Sequence, residues 1–389
     1  MAKTKTQTYH LGKAARKLLL LTARGRWDKC QSDAALRLSH QVIDWDVFCD
    51  VAIRSFGVCL AYRLLRTLPT GAVPQKAMTR MQQASRFLSM RSLQFEAAQL
   101  NFMNACLEPL GVRHAFFKGA SLAHRYHEAP AARPSRDVDV LIDPAKTFAV
   151  LSSARQLGYA PVNPIEPGDQ GLTRWIKEDT VYGMIAPSGV LIEIHQSLDH
   201  GDGVLDPEQM LARAETFDFR GRSLSVLRTS DLFVYMCMHH TRHFWSHLHW
   251  YADLDAITSH SLFDLDEVLE VAGSVRLVPT VEACLALNEF ARSGDWPDEF
   301  SNEGNASQAI LARSVECLEG GPEREVELRA IRLSPDRAFA WQSSLSERVY
   351  LLLRKQFRRF ISVARRMNSA FGWGKNPQVD SRERGRDKA

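Results

Sequence analysis

Two short motifs in the middle of the chain contain the residue types from which a phosphate and metal site can be built. Lys118-Gly119-Ala120-Ser121 follows a short apolar run, and Asp137-Val138-Asp139 opens a second apolar run after a polar loop. Carboxylates at positions i and i+2 of a strand point to the same face, where they repel each other unless a cation lies between them. A glycine turn that opens a helix offers backbone N–H groups to phosphate. Together the two motifs favour metal-dependent binding of a nucleoside triphosphate.

A third acid lies on a later predicted strand, Val190–His195. Glu193 and His195 are two residues apart and therefore share one face of that strand. Taken singly, each piece is more often a surface feature than a site: acid-x-acid at a strand start is commonly a turn, and acid-x-His is commonly a solvated face. The order of the pieces along one chain is what favours a site.

These motifs resemble those of the DNA polymerase β-like nucleotidyltransferase superfamily, which has a Gly-[Gly/Ser] turn, an acid-x-acid strand and a third acid. More narrowly, residues 85–260 resemble an uncharacterised bacterial nucleotidyltransferase family. The matching motifs are Lys118-Gly119, Tyr126, Arg133-Pro134-Ser135-Arg136-Asp137-Val138-Asp139-Val140-Leu141-Ile142, Gly158-Tyr159, Glu193-Ile194-His195 and the segment with His239, His243, Leu248, Trp250 and Asp253. Two departures stand out: the hydroxyl of Ser121 comes one position late in the turn, and the third acid is Glu193 where relatives more often have Asp.

The resemblance implies metal-assisted transfer of an NMP from an NTP to a hydroxyl or phosphate of an acceptor. Asp137, Asp139 and Glu193 would be the catalytic residues and the ligands of two Mg²⁺ ions. The nucleotide-binding residues would be Lys118, Gly119, Ala120, Ser121, Arg133 and Arg136. The residues lining the cleft would be His195, His239, His243 and Asp253. A small molecule, a peptide or protein, and RNA all remain open as acceptors.

Other functions also remain open at the level of sequence. A degenerate member of such a fold would bind nucleotide or a partner protein without turnover, because fold does not determine function. A phosphotransferase could use the same scaffold. A toxin-like RNA-modifying protein would use the basic ends: residues 1–26 carry seven Lys or Arg and no acid, and Leu345–Met367 predicts a helix with a basic face. For such charge runs, a solvated surface is the commoner interpretation.

Five histidines lie between positions 239 and 249, and three of them, His239, His243 and His247, recur every four residues. That spacing on a continuous helix could bind Zn²⁺. The intervening Phe244-Trp245-Ser246 predicts a break between two helices, however, and no HExxH motif occurs. The sequence therefore favours packing, or lining of the cleft, over a zinc site.

The bulk composition is that of an ordinary globular protein. The 389 residues are 45% hydrophobic and 24% charged, with a formal net charge of +4, which is too weak alone to imply nucleic acid. Seven cysteines occur singly and no apolar run is long enough for a signal peptide or a membrane span, which predicts a reduced, cytoplasmic protein.

The periodicity of the apolar residues predicts an α+β fold, in which a small mixed β-sheet is flanked by helical segments. The predicted division is a helical N-terminal lobe (1–110), an α/β core (111–228), a helical C-terminal region (229–368) and a disordered tail (369–389). The main predicted elements are helices Val42–Leu68 and Gln75–Leu110 and strands His114–Phe117, Asp137–Ile142, Thr173–Lys177, Thr180–Ile185 and Val190–His195.

Overall fold

A computed structural model describes residues 8–198, 204–293 and 306–330 and the single residue 353. Within these residues the helices are α1 Lys13–Leu21, α2 Lys29–Ser39, α3 Trp45–Arg54, α4 Val58–Leu65, α5 Gln75–Phe102, α6 Gly119–Tyr126, α7 Thr147–Gln156, α8 Gly168–Glu178, α9 Pro207–Ala212, α10 Thr229–Arg242, α11 Leu248–Thr258, α12 Leu265–Ser274, α13 Val278–Ser293 and α14 Ala306–Ala330. The strands are β1 His114–Phe116, β2 Val138–Ile142, β3 Ala160–Pro161, β4 Val181–Ile185, β5 Leu191–His195, β6 Glu215–Phe219 and β7 Arg222–Val226.

The strands form one mixed sheet in the order β3-β4-β5-β2-β1-β7-β6. Strand β2 is antiparallel to β1 on one side and parallel to β5 on the other, while β4 and β5 form an antiparallel hairpin. The two strands that carry the acidic motifs, β2 and β5, are therefore neighbours in the interior of the sheet. The sheet and its helical flanks confirm the α+β class.

The two faces of the sheet pack against different hydrophobic clusters. In β2, Val138, Val140 and Ile142 belong to a cluster with α5, α7 and α8, whereas Leu141 belongs to the cluster of the helical layer on the opposite face. Side chains alternate along a strand, so Asp139 lies on the same face as Leu141. The central acid of the motif therefore faces the helical layer, where side chains of other helices can reach it.

The helical layer is built from both ends of the described chain. Helices α1–α4 and α10–α14 share one hydrophobic cluster, and Arg16 of α1 donates from Nε to Glu319 Oε1 of α14 over 2.6 Å. Arg24 is 2% exposed and donates from Nη2 to the carbonyl of Ala291. Two of the basic N-terminal residues thus serve internal packing. The domain boundaries at 110 and 228 stay predictions.

Helix α5 is followed by a single π-helical turn, Met103–Leu107, and a short 3₁₀ turn, Glu108–Leu110. The segment ends at Gly111, whose backbone has φ 57° and ψ 39°. That left-handed conformation is one that glycine adopts without steric cost. Gly111 therefore caps the end of this helical segment, shortly before β1.

Two predicted elements were wrong. The stretch Val42–Leu68 is not one helix: it divides into α3 and α4 at Phe56, whose φ is 60°. The predicted strand Thr173–Lys177 lies inside helix α8, because Leu172, Trp175 and Ile176 recur at helical spacing and pack against the α5–α7–α8 side of the sheet. The hairpin β6–β7, with its mostly polar β6, has no counterpart in the sequence predictions.

The predicted break after His243 is confirmed, with Phe244 at φ 53° and Trp245 at φ 50° between α10 and α11. The predicted basic helix Leu345–Met367 and the tail 369–389 lie outside the described residues, apart from position 353. Among the described residues, no helix combines the length and apolarity that crossing a membrane requires.

The loop between α3 and α4 packs tightly against the start of α11, and we predict that Gly57→Ala destabilises the protein. A Cβ at position 57 would lie 2.2 Å from Leu248 Cδ2 and 2.8 Å from Leu248 Cβ. Overpacking of this kind costs roughly 1–3 kcal/mol of unfolding free energy, measurable by urea denaturation. Gly25→Ala is the control, because nothing lies within 4 Å of its Cβ position. Equal stability of the two variants would contradict the prediction.

Candidate active site

The register of the parallel strands β2 and β5 brings the acids of the two motifs together. Asp139 lies directly opposite Glu193, and Leu141 lies opposite His195. Asp139, Glu193 and His195 each offer one ligand atom, and these atoms all lie within 4.8 Å of one another. Asp137 immediately precedes β2 and is close enough to both acids for their charges to raise its pKa. The structure therefore assembles residues that are more than fifty positions apart in the sequence.

Asp139 is the buried centre of this group. Its Oδ1 accepts a hydrogen bond from Lys118 Nζ at 3.1 Å and another from His195 Nε2 at 3.2 Å. Burial alone would raise the pKa of Asp139, but Lys118 and His195 hold it well below its ordinary value. The second oxygen, Oδ2, is buried and has no hydrogen-bond partner among the described residues. One oxygen of the carboxylate is thus fully satisfied and the other is not.

Asp137 and Glu193 are more accessible than Asp139. Asp137 is half-buried, and the side chain of Glu193 is 32% exposed. Burial, the charge of Asp139 and the charge of Glu193 together raise the pKa of Asp137 to about 7. His195 Nε2 lies 3.7 Å from Glu193 Oε2 as well as near Asp139, and these acids raise the pKa of His195 despite its burial. The acids therefore repel one another more than Lys118 and His195 can offset.

The donor set fits a divalent cation. A buried carboxylate oxygen that has no partner among the described residues costs free energy, and burial together with the two neighbouring acids raises the pKa of Asp137. Carboxylate oxygens are the ligands that Mg²⁺ and Mn²⁺ prefer, and an imidazole nitrogen nearby also suits Mn²⁺ and other transition metals. Asp139, Glu193 and His195 have the spacing to hold the ion, and a metal-ligand role for Asp137 stays a prediction.

Lys118 contacts the acidic group through Asp139. Its Nζ bonds to Asp139 and lies 5.3 Å from the ring centroid of Phe117 and 5.4 Å from that of Tyr235. Burial lowers the pKa of Lys118, but Asp139 outweighs that effect and the pKa is raised overall. In this structure the lysine charge offsets part of the negative charge of the acids. A contact between Lys118 and phosphate stays a prediction.

Helix α6 begins at this lysine and lies against the turn before β2. Gly119 has φ 62°, and a Cβ there would lie 3.1 Å from the carbonyl oxygen of Asp137 and 3.4 Å from Ser135 Oγ. Both the conformation and the close approach require glycine. The hydroxyl of Ser121 donates to the carbonyl of Lys118 at 2.7 Å, so it turns back onto the helix. No side chain of the described residues caps the first turn of α6, whose N–H groups start beside Asp137.

Arg133 lies in a buried ion pair. Its Nε and Nη2 donate to the two oxygens of Asp253 on α11, at 3.0 and 2.7 Å, and His127 Nε2 lies 2.8 Å from Asp253 Oδ1. The charge of Arg133 and the hydrogen bonds from Arg133 and His127 hold the pKa of Asp253 well below its ordinary value although the residue is fully buried. The pair ties the loop that carries Asp137 to the helical layer. The geometry therefore supports a role for Arg133 and Asp253 in positioning this loop.

The histidine cluster surrounds Trp250. The rings of His239, His240, His243, His247 and His249 all lie within 6.1 Å of its ring, with His240 stacked on it at 4.2 Å. Burial lowers the pKa of His239 and of His240. Among the described residues, these histidines do not form a group with metal-ligand spacing. They are a neutral aromatic wall of the helical layer.

Two histidines of that wall, His239 and His243, also make polar contacts. The hydroxyl of Tyr235 lies 3.2 Å from His239 Nδ1, and His243 Nδ1 lies 2.7 Å from Glu325 Oε1 on α14. Tyr235 therefore connects the wall to Lys118. The sequence analysis did not identify Tyr235 as a residue of the site. Its position one helical turn before His239 is the signal that could have identified it.

Arg136 is exposed beside Asp137, and its Cζ lies 5.2 Å from the ring centroid of Phe56. Phe56 belongs to the loop between α3 and α4, which is about eighty positions away in sequence. No pattern in the sequence signals this contact, because it depends on a break in a helix that periodicity predicts as continuous.

The buried ion pair yields a stability prediction. Asp253→Ala leaves the Arg133 guanidinium buried without its partner, which costs about 3–5 kcal/mol of unfolding free energy. The double variant Arg133→Met/Asp253→Leu should recover much of that loss, because it removes both charges. Asp46→Ala, which breaks an exposed ion pair with Lys76, is the control and should cost far less. Urea denaturation measures all three; a loss for Asp253→Ala no larger than for the control would contradict the assignment.

The raised pKa of Asp137 yields a pH prediction. Because the folded state holds this proton more tightly than the unfolded chain, the unfolding free energy should fall as pH rises from about 5 to about 7. One proton contributes at most about 1.4 kcal/mol per pH unit. Asp137→Asn should flatten the curve in the presence of a metal chelator, whereas Asp143→Asn, at the end of β2, should not. Parallel curves for wild type and Asp137→Asn would refute the prediction.

Comparison with known proteins agrees with this geometry. A family model described as an uncharacterised nucleotidyltransferase matches residues 41–291, which include α3 to α12, most of α13, every strand of the described sheet and all the acids of the site. A search of curated proteins found no match. The chain belongs to this family of uncharacterised nucleotidyltransferases.

Proposed function

We propose that this protein is a Mg²⁺-dependent nucleotidyltransferase that transfers an NMP from an NTP to a hydroxyl or phosphate of an acceptor. The observation that supports it best is the pairing of Asp139 with Glu193 on adjacent parallel strands, with one oxygen of Asp139 buried and without a hydrogen-bond partner in the described part of the chain. Asp137 completes a group of three carboxylates at one end of those strands. Three carboxylates in this arrangement match the ligand chemistry of Mg²⁺.

Two Mg²⁺ ions bound to such carboxylates would neutralise the triphosphate and stabilise both the attacking and the leaving oxygen. Asp139 is held in one orientation by Lys118 and His195, so its free oxygen keeps a fixed direction. Asp137 and Glu193 are partly accessible, as ligands that must meet a substrate need to be. Each acid therefore has the exposure that its proposed role requires.

The proton of the acceptor needs a base close to the acids. The side chain of Glu193 is partly accessible, with 32% of its surface exposed, and we assign to it the removal of the proton from an acceptor hydroxyl. The acceptor oxygen then bonds to the α-phosphorus, the bond from that phosphorus to the bridging oxygen breaks, and pyrophosphate leaves with the electron pair. The N–H groups at Gly119, Ala120 and Ser121, at the start of α6, would bind the phosphates.

The acceptor stays open among a small molecule, a peptide or protein, and RNA. The accessible side of the site lies at Asp137 and Glu193, and nothing in the described residues there selects one class. The basic ends that could bind RNA lie partly outside the described residues. In the described part of the N-terminal segment, Arg16 and Arg24 make internal contacts.

The direct test is label transfer. The protein is incubated with each of the four NTPs, labelled at the α-phosphate, with Mg²⁺ and a cell lysate fractionated into small molecules, protein and RNA. We expect label in one fraction, reduced roughly 100-fold or more in Asp137→Asn and in Asp139→Asn, because each substitution removes a charge from the metal ligands. Asp143→Asn is the matched control, since this acid lies at the end of β2 and pairs with Arg113.

Transfer of γ-phosphate label in place of α-phosphate label would identify a phosphotransferase. The absence of transfer from any NTP, with wild type indistinguishable from Asp139→Asn, would contradict the proposed enzymatic activity and favour a nucleotide- or partner-binding protein.

A further inference from the structure

Phe56 adopts a backbone conformation that aromatic residues rarely take. Its φ of 60° lies in the left-handed region, and it falls at the junction of α3 and α4. The junction is fixed by its neighbours: Leu248 donates its N–H to the carbonyl of Ser55 at 2.9 Å, and Leu248 fills the space where Gly57 has no side chain. Strained backbone that the surroundings hold in place is typical of functional sites.

The ring of Phe56 is held in one orientation from two sides. His247 and His249 meet it edge-on, with ring centroids 5.6 and 5.9 Å away. The ring is only half-buried, and the guanidinium of Arg136 lies 5.2 Å from its centroid. Phe56 is thus a rigid platform on which the side chain of Arg136 rests.

Arg136 differs from the other arginines near the site. Arg133 is buried and paired with both oxygens of Asp253, whereas Arg136 is exposed and forms no ion pair with a carboxylate of the described residues. Arg136 directly precedes Asp137, and its charge lowers the pKa of that acid. A guanidinium that is held on a ring beside the metal-binding carboxylates keeps its N–H donors available to a phosphate.

We propose that Phe56, from the N-terminal helices, is a positioning residue that holds Arg136 against the triphosphate of the bound NTP. This inference rests on the proposed function. Stacking fixes the plane of the guanidinium and reduces the conformational freedom that Arg136 would otherwise lose on binding phosphate. The nucleotide site therefore includes a side chain that lies more than sixty residues before its first motif.

The test is a double-mutant cycle on nucleotide affinity, measured by calorimetry with the four α,β-methylene nucleoside triphosphates and Mg²⁺. With the tightest-binding analogue, Phe56→Leu should weaken affinity about twofold to fivefold, and Arg136→Ala roughly tenfold or more. Phe56→Leu in the Arg136→Ala background should have no further effect, because its role is exerted through Arg136. Phe56→Tyr keeps the ring and should keep the affinity of the wild type.

Phe87→Leu is the matched control, because that ring is 62% exposed on α5 and should leave affinity unchanged. Additive effects of the two substitutions, or a loss in Phe56→Tyr equal to that in Phe56→Leu, would overturn the positioning role while leaving the proposed function standing. No binding of any analogue by the wild-type protein would overturn the proposed function, and this inference with it.

Discussion

Repulsion among three carboxylates on neighbouring chain segments is the constraint on which the rest of the site depends. Asp137, Asp139 and Glu193 share one face of the sheet, and the central one is fully buried. A protein holds like charges this close only if other groups offset them. Lys118 and His195 do so for one oxygen of Asp139, and the remaining negative charge is what a metal ion with its nucleotide would neutralise.

The surrounding fold can be understood as the support for that arrangement. The register of β2 and β5 sets the distance between Asp139 and Glu193, and the burial of both faces of β2 prevents a slip of that register. Gly119 lets α6 begin against the carbonyl of Asp137, where a side chain would combine a left-handed backbone with a contact of 3.1 Å. The Arg133–Asp253 pair anchors the preceding loop to α11. Strand, helix and loop each hold one side of the same charged group.

The sequence predicts the parts of this site that follow from local pattern. Period-two alternation places Asp137 and Asp139 on one face of their strand, and Glu193 and His195 on one face of a later strand, before any tertiary contact is known. Which strand pairs with which is not a local property, so the direct opposition of Asp139 and Glu193 appears only in the structure. Lys118 shows the same limit. Its position before Gly119 predicts a phosphate ligand, whereas the tertiary fold pairs it with Asp139. Likewise, periodicity extends a helix through Phe56, because a left-handed turn at an aromatic residue has no sequence signal.

Helices α1 and α14 share one hydrophobic core, and this arrangement affects the folding of the newly synthesised chain. Leu11 and Arg16 bond to Glu319 across more than 300 positions, and His243 of the aromatic wall bonds to Glu325. A chain leaving the ribosome has its acidic motifs synthesised and its strands free to pair long before these partners exist. Closing so long a loop is slow, and partly folded chains expose apolar surface meanwhile. We therefore expect the nascent chain not to complete this fold, and to depend on chaperones, until α14 has been translated.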